Sequence, residues 1–141
     1  MKKNIELEKF TGEDRQINIL YDLLGSREFN ISHNCQPSIR EHKEFSLRNP
    51  YRAWFLIKYE GEYIGSTYIL DNNSIGFNIN KPSISLVRYC LDFLLTNFKP
   101  LDEIKSVRPN SFFINVSYDN IQMREVLNSL YEKPIQVSYK L

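Results

Sequence analysis

Cysteine, net charge and long apolar runs are all scarce in this 141-residue sequence, and each scarcity removes a class of protein. Two cysteines, Cys35 and Cys90, are too few for the disulfide framework of a small secreted scaffold. Neither belongs to a C-x-x-C pair, and with two histidines in the chain they form no metal-ligand spacing. Eighteen basic residues face seventeen acidic ones, so the formal charge is +1 and no general attraction to nucleic acid or anionic lipid follows. No apolar run approaches the roughly 20 residues of a membrane helix. The first residues turn acidic at Glu6 without the apolar stretch of a secretory signal. Low-complexity tracts, charge blocks and repeats are absent as well. The expectation is a cytoplasmic protein with reduced thiols and with neither nucleic acid nor membrane as partner.

What the sequence does contain is material for a core: 42% hydrophobic and 13% aromatic residues, in a length that suits one domain over 1–141. Residues 4–10 read as a strand, with Ile5 and Leu7 alternating against Glu6 and Glu8. Residues 13–25 carry Ile17, Leu20, Tyr21, Leu23 and Leu24 at helical spacing, and Gly25 is expected to stop that helix. Ser26 to Pro37 reads as an ordered loop. Ser38 and Glu41 form an S-x-x-E capping box, which starts a second helix that Asn49-Pro50 ends near Arg48.

Three aromatic and β-branched segments follow, Ala53 to Tyr59, Tyr63 to Leu70 and Ser74 to Asn80, joined by hairpin-type turns at 60–62 and 71–73. After Pro82 the helical period returns in Leu86, Tyr89, Cys90, Phe93, Leu94 and Asn97 until Pro100 closes the element. Residues 111–117 have strand length and composition. Asp119 or Asn120 can cap a last helix bearing Met123, Val126, Leu127 and Leu130. Beyond Pro134, the alternation of Ile135, Val137 and Tyr139 predicts a final strand. The order β-α-α-β-β-β-α-β-α-β makes an α+β domain around one mostly antiparallel sheet.

That order, together with local motifs, resembles the GNAT superfamily of N-acetyltransferases. Residues 50–57 followed by Tyr63-Ile64-Gly65-Ser66 are similar to the family's second and third strands. Residues 73–79 are similar to its fourth strand, and Asn115, Asn120 and the following helix to its N-x-x-N-x-x-S passage. The stretches 30–33, 41–42 and 49–51 resemble members from surface-polysaccharide clusters, some of which acetylate amino-sugar nucleotides. The resemblance implies acetyl-CoA as donor and a small-molecule amine as acceptor. It assigns backbone contacts with the pantetheine arm to Phe77, Asn78 and Ile79, one of which polarises the thioester carbonyl. It places Lys81, Ser83, Ser85, Arg88, Asn115 and Asn120 at the cofactor, and His33, Tyr51 and Tyr68 on the acceptor side, with His33 as candidate base.

The sequence also departs from that family. Residues 80–88 stand where it has the glycine-rich pyrophosphate loop, yet they contain no glycine, and Pro82 removes a backbone donor. Leu127 occupies the position of the family's proton-donating tyrosine, Met123 that of its serine, and Leu130-Tyr131-Glu132 that of its L-G-F; Tyr118 or Tyr131 could substitute in principle, and the sequence assigns no general acid. A non-catalytic binding or assembly module is therefore a standing alternative. An acyl-carrier donor, met by Lys81 and Arg88, is a third. His42 and Trp54 read first as packing residues, and Cys90 as a small core residue. The strands at 111–117 and 135–141 could form an exchanged or edge-paired homodimer.

Overall fold

A computed structural model gives the structure and describes residues 4–25, 37–131 and 133–141. Its elements are β1 (Ile5–Lys9), α1 (Asp14–Gly25), α2 (Ile39–Arg48), β2 (Ala53–Tyr59), β3 (Glu62–Ile69), β4 (Ser74–Ile79), α3 (Ile84–Asn97), β5 (Phe113–Ile114) and α4 (Ile121–Leu130). The strands form one sheet in the order β1-β2-β3-β4-β5. All pairs are antiparallel except the last, in which β4 and β5 run parallel.

The most apolar strand, β2, lies inside the sheet with helices over both faces, and this explains its unbroken apolar sequence. Phe55 points into a cluster with Ile69, Ile75, Val87, Leu91 and Met123, beneath α3 and α4. Trp54 and Leu56 point the opposite way, to Phe10, Ile17 and Leu20 beneath α1. Cys90 is wholly enclosed, and burial pushes its thiol up to about 12, so the residue behaves as a small apolar filler.

Turn chemistry sets the registers. Glu60 and Gly61 both have positive φ, 51° and 82°, as a two-residue hairpin of the primed type requires. The second hairpin closes with Asn73 in the left-handed region at φ 71°. Its Leu70 N–H donates to the Ser74 carbonyl at 2.9 Å. Gly65 is required by close approach: a Cβ there would meet the Asn78 carbonyl oxygen at 2.2 Å. Ser38, Ser83 and Asn120 cap their helices as acceptors from the amides of Glu41, Leu86 and Met123.

Three boundaries differ from the sequence expectation. Gly25 is the last residue of α1 rather than the residue beyond it. The strand expected over 111–117 is paired at Phe113 and Ile114, because β4 diverges after that point. The strand expected from Ile135 onward does not form: among the described residues 133–141 has no strand partner, and Ile135, Val137 and Tyr139 are 85%, 62% and 85% exposed. Alternation measures readiness to pair, and pairing needs a neighbouring edge that this segment does not reach. No helix among the described residues is long and apolar enough to cross a membrane.

Candidate active site

The site is built around the far end of β4. β4 and β5 share two register pairs, Ser74 with Phe113 and Ile75 with Ile114, and then part. On its other side β4 stays paired to β3 through Ile79. Antiparallel pairs alternate in which residues turn their backbone groups toward the neighbour. The bond from Leu70 N–H to the Ser74 carbonyl fixes the phase, so Ser74, Gly76 and Asn78 face β3. The amides and carbonyls of Phe77 and Ile79 therefore face the gap that β5 has left. The Phe113 N–H, donating to the Asn73 carbonyl at 3.2 Å, obeys the same phase on the β5 side.

One polar side chain holds the closed end of this gap. Asn73 is fully buried, donates through Nδ2 to the carbonyls of Leu101 (2.9 Å) and Pro109 (2.8 Å), and accepts through Oδ1 from the Leu101 N–H (2.8 Å). It thereby ties the start of β4 to the connection that delivers β5. Arg108 adds a bond from Nη1 to the Asp71 carbonyl at 3.1 Å. The sequence reading treated Asn73 as a turn residue; its left-handed conformation was the available signal, and its distant partners were not.

On the α1–α2 face, a cleft of about 330 Å³ runs to the end of β4. Tyr51, Trp54, Tyr68 and Phe45 wall it, and Asn78 and Asn80 line it at β4. Tyr51 and Tyr68 stack, with centroids 4.1 Å apart and planes at 19°, while Tyr51 meets Trp54 edge-on at 4.8 Å. Trp54 Nε1 has no hydrogen-bond acceptor, and the rings of Tyr51 and Phe45 stand nearly perpendicular to the indole. Gly76 makes room for the wall: a Cβ there would lie 2.2 Å from Tyr68 Cζ, so the Tyr68 phenol lies across β4 where the gap begins. Glu41, Glu44 and Arg48 line the same cleft from α2. Glu44 also accepts from Arg40 at 3.4 Å, and Glu41 accepts from the Ser38 hydroxyl at 3.2 Å.

His42 lies in this cleft as a buried, hydrogen-bonded residue. Its Nε2 donates to the Ile17 carbonyl at 3.1 Å, and Tyr21 packs 5.4 Å away. Burial holds its pKa below the usual 6.5, while the bond to Ile17 acts weakly in the opposite direction. Between the folded and unfolded pKa values, the unfolded chain binds a proton that the folded chain does not, so stability falls as pH drops below about 6.5 and levels off beneath the folded value. Melting temperature is expected to fall more between about pH 7.5 and about pH 5.5 in the wild type than in His42→Gln. Equal falls would show that His42 binds its proton equally in both states.

A second cleft, of about 530 Å³, opens beside the same end of β4, between residues 81–84 and one face of α4. Lys81 and Ser83 line one wall, and Gln122, Glu125 and Ser129 the other. Those three lie at positions i, i+3 and i+7, a polar stripe legible in the sequence but missed there. The α3 N-terminus faces this region. Ser83 Oγ takes the Leu86 amide and lies 3.4 Å from Ser85 Oγ, while the Val87 amide donates to the Ser83 carbonyl. The amides of Ile84 and Ser85 remain as helix-end donors. An anion would meet those donors and Lys81, without the backbone cradle of a glycine-rich loop.

The structure thus brings Phe77, Asn78, Ile79, Lys81 and Ser83 to one strand end, with Tyr51 and Tyr68 in the cleft on the α1–α2 face. The Phe77 side chain packs into the core, and the Asn78 side chain donates to Ser66 Oγ at 3.5 Å. Ser85 Oγ lies 3.4 Å from Ser83 Oγ but does not line the second cleft. Arg88 and Asn115 are exposed and line neither cleft, and the Asn120 side chain is occupied as the α4 cap. His33 and Cys35 lie outside the described residues. Leu127 packs against the core; Tyr118 is 70% exposed beneath Arg124, and Tyr131 is the α4 C-cap.

No protein-family model matches the sequence, and no curated protein matches it either. Solved structures do. A spermidine N-acetyltransferase chimera from Vibrio cholerae and hSSAT is similar with a TM-score of 0.56 and 15% identity, over 89% of this chain and 78% of that one. The aminoglycoside N-acetyltransferase AAC(6')-Ib11 has a TM-score of 0.54 and 14% identity, over 89% and 84%. A possible acetyltransferase from Clostridium difficile 630 has a TM-score of 0.53 and 13% identity, covering 97% of both chains. With the parallel β4–β5 pair that parts after two positions and the helices on both faces, these similarities establish that the chain has the GNAT acetyltransferase fold.

Proposed function

We propose that the protein transfers an acetyl group from acetyl-CoA to the amine of a small molecule. The observation that carries this reading is the β4 edge at Phe77 and Ile79, which β5 leaves without a described strand partner, with one cleft lined by the neighbouring Asn78 and Asn80 and another by Lys81 just beyond the strand. A pantetheine arm is a chain of two amides, and a strand edge with donors and acceptors on alternate residues is complementary to it. An amide donor at the Phe77 position would stabilise charge developing on the thioester oxygen. Lys81 and the α3 N-terminus would meet the diphosphate. Glu125 opposes an anion there, and looser cofactor binding than a glycine cradle gives is the expected consequence.

The acceptor enters from the aromatic cleft. Carboxylates at Glu41 and Glu44 and the π faces of Tyr51, Trp54 and Tyr68 attract an ammonium from solution, with Arg48 opposing it in the same cleft, so a base must take the amine's proton before attack. The proton leaves to His33 or to water. Neighbours of this fold named for spermidine and aminoglycosides support a cationic amine. An amino-sugar nucleotide would bring its diphosphate toward the same carboxylates and is the less favourable acceptor. Reduced Cys90 and a CoA donor suit the cytoplasm. The non-catalytic alternative expects residues 82–85 to fill the cofactor space, and the open second cleft speaks against it.

Calorimetry with acetyl-CoA, followed by thiol-release assays on a polyamine, an aminoglycoside and an amino-sugar nucleotide, tests the reading. Binding in the micromolar-to-millimolar range and turnover on an amine are expected. No heat at millimolar cofactor would refute it, and equal binding of acetyl-pantetheine would shift the donor toward an acyl carrier.

A further inference from the structure

His42 lines the aromatic cleft with a ring nitrogen that the fold leaves unused. Its Nε2 lies 3.1 Å from the Ile17 carbonyl, with Ser46 Oγ at 3.4 Å. A carbonyl oxygen only accepts, so Nε2 carries the hydrogen and the neutral ring keeps its lone pair on Nδ1. Nδ1 has no partner among the described residues, yet it is not shut away. The buried side-chain nitrogens without a partner among those residues are Arg52 Nη1 and Trp54 Nε1. Nδ1 therefore meets solvent, and the space that His42 borders is the cleft, which runs on to Asn78 and Asn80.

Resting on the reading that this cleft takes the acceptor amine, the geometry points to His42 Nδ1 as the group that receives, through one water, the proton the ammonium must lose. The bond to Ile17 and the Tyr21 ring 5.4 Å away hold the imidazole in place before any substrate arrives. A cleft of about 330 Å³ has room for a small amine and a bridging water, whose share of liquid volume is about 30 Å³. The ammonium gives one proton to that water as the water gives one to Nδ1, leaving a neutral amine and an imidazolium. The amine's lone pair then forms the C–N bond and the C–S bond of the thioester breaks. The second N–H proton goes to the departing thiolate, and the imidazolium returns its own to bulk water. The charged groups lining the cleft are Glu41, Glu44 and Arg48, all from α2; the two carboxylates favour the imidazolium and Arg48 opposes it. From α1 comes Tyr21, whose hydroxyl donates to the Pro37 carbonyl at 3.1 Å, and β2, β3 and β4 bring no charge to the cleft. Burial lowers the ring's pKa, so at neutral pH His42 stands ready as the free base.

His42→Gln tests this directly, because a glutamine amide reaches where Nε2 stands and keeps a donor for Ile17 while offering no base. At about pH 7.5, kcat/KM for the amine is expected to fall about 10²-fold. KM for acetyl-CoA should stay within about twofold and the far-ultraviolet spectrum should not change. The wild-type profile should fall on its acid side with an inflection below 6.5, and the variant should lack that limb. An undiminished rate in the variant, or an acid limb that persists there, would overturn the inference. Nitrogen magnetic resonance separates it from the wider reading. In the wild type at about pH 7.5, His42 Nδ1 is expected to be unprotonated, and millimolar spermidine is expected to shift its resonance. A protonated Nδ1, or a resonance that spermidine leaves in place, would overturn the inference equally. Absence of turnover on every amine would refute the acetyl-transfer reading, whereas the Nδ1 resonance judges His42 without any turnover.

Discussion

Asn73→Ala is expected to destabilise the protein by about 3–5 kcal/mol. Three hydrogen bonds of 2.8–2.9 Å disappear at once, leaving two carbonyls and one amide without their partner. Each buried group so orphaned costs roughly 1–3 kcal/mol, and alanine in the left-handed region adds about 1–2 kcal/mol. Water admitted at the hairpin recovers part of the sum. A domain of this size has about 5–15 kcal/mol of stability in total, so the variant should melt on the order of 10–20 °C lower. Asn73→Gly removes the backbone penalty but restores no bond, and should recover only about 1 kcal/mol. A denaturant midpoint for Asn73→Ala within about 1 kcal/mol of wild type would show that the connection at 101–109 is held by other contacts. Because Phe113 hangs from the Asn73 carbonyl, the loss should also loosen the β4–β5 gap and lower activity beyond the fraction unfolded.

The second expectation concerns one backbone hydrogen. Phe77→Pro should reduce acetyl transfer about 10²–10³-fold below Phe77→Ala. Both variants lose the aromatic ring from its place against the core, so alanine controls for packing. They differ in the amide, which proline lacks. That amide faces the gap, so its removal spares the β3 ladder through Gly76 and Asn78. Proline is tolerated in strands where its missing donor faces outward, and circular dichroism should show both variants folded. The comparison is read in kcat/KM with a saturating amine. Equal activity in the two variants would mean that the Phe77 N–H does not touch the developing oxyanion, leaving Ile79 as the gap-facing donor.

Local signals made much of the architecture legible. Ser38 with Glu41, the Asn49-Pro50 stop and the Glu60-Gly61 turn all act within four residues of themselves, and each marks its element boundary in the structure. The residues of β2 were recognisable as strand, though burial on both faces hid which side each helix would cover. Phe77, Asn78 and Ile79 were chosen as a block through family resemblance. The phase of the ladder separates them: Phe77 and Ile79 offer backbone to the gap, whereas Asn78 spends its backbone on β3 and lines the aromatic cleft. Asn115 and Asn120 matched a motif, yet one is exposed and the other caps a helix, because a motif specifies spacing and not direction.

By itself the sequence determined a near-neutral α+β chain, the order and ends of most elements, and the absence of a glycine cradle at residues 80–88. These follow from capping, turn conformation and apolar period, which depend on neighbours a few positions away. The tertiary structure alone decided where β5 leaves β4, that Asn73 anchors that point from 28 and 36 residues away, and that the last apolar alternation finds no edge among the described residues. Sheet pairing is a contact between distant segments. Its phase, its extent and its vacant edges arise only when those segments meet.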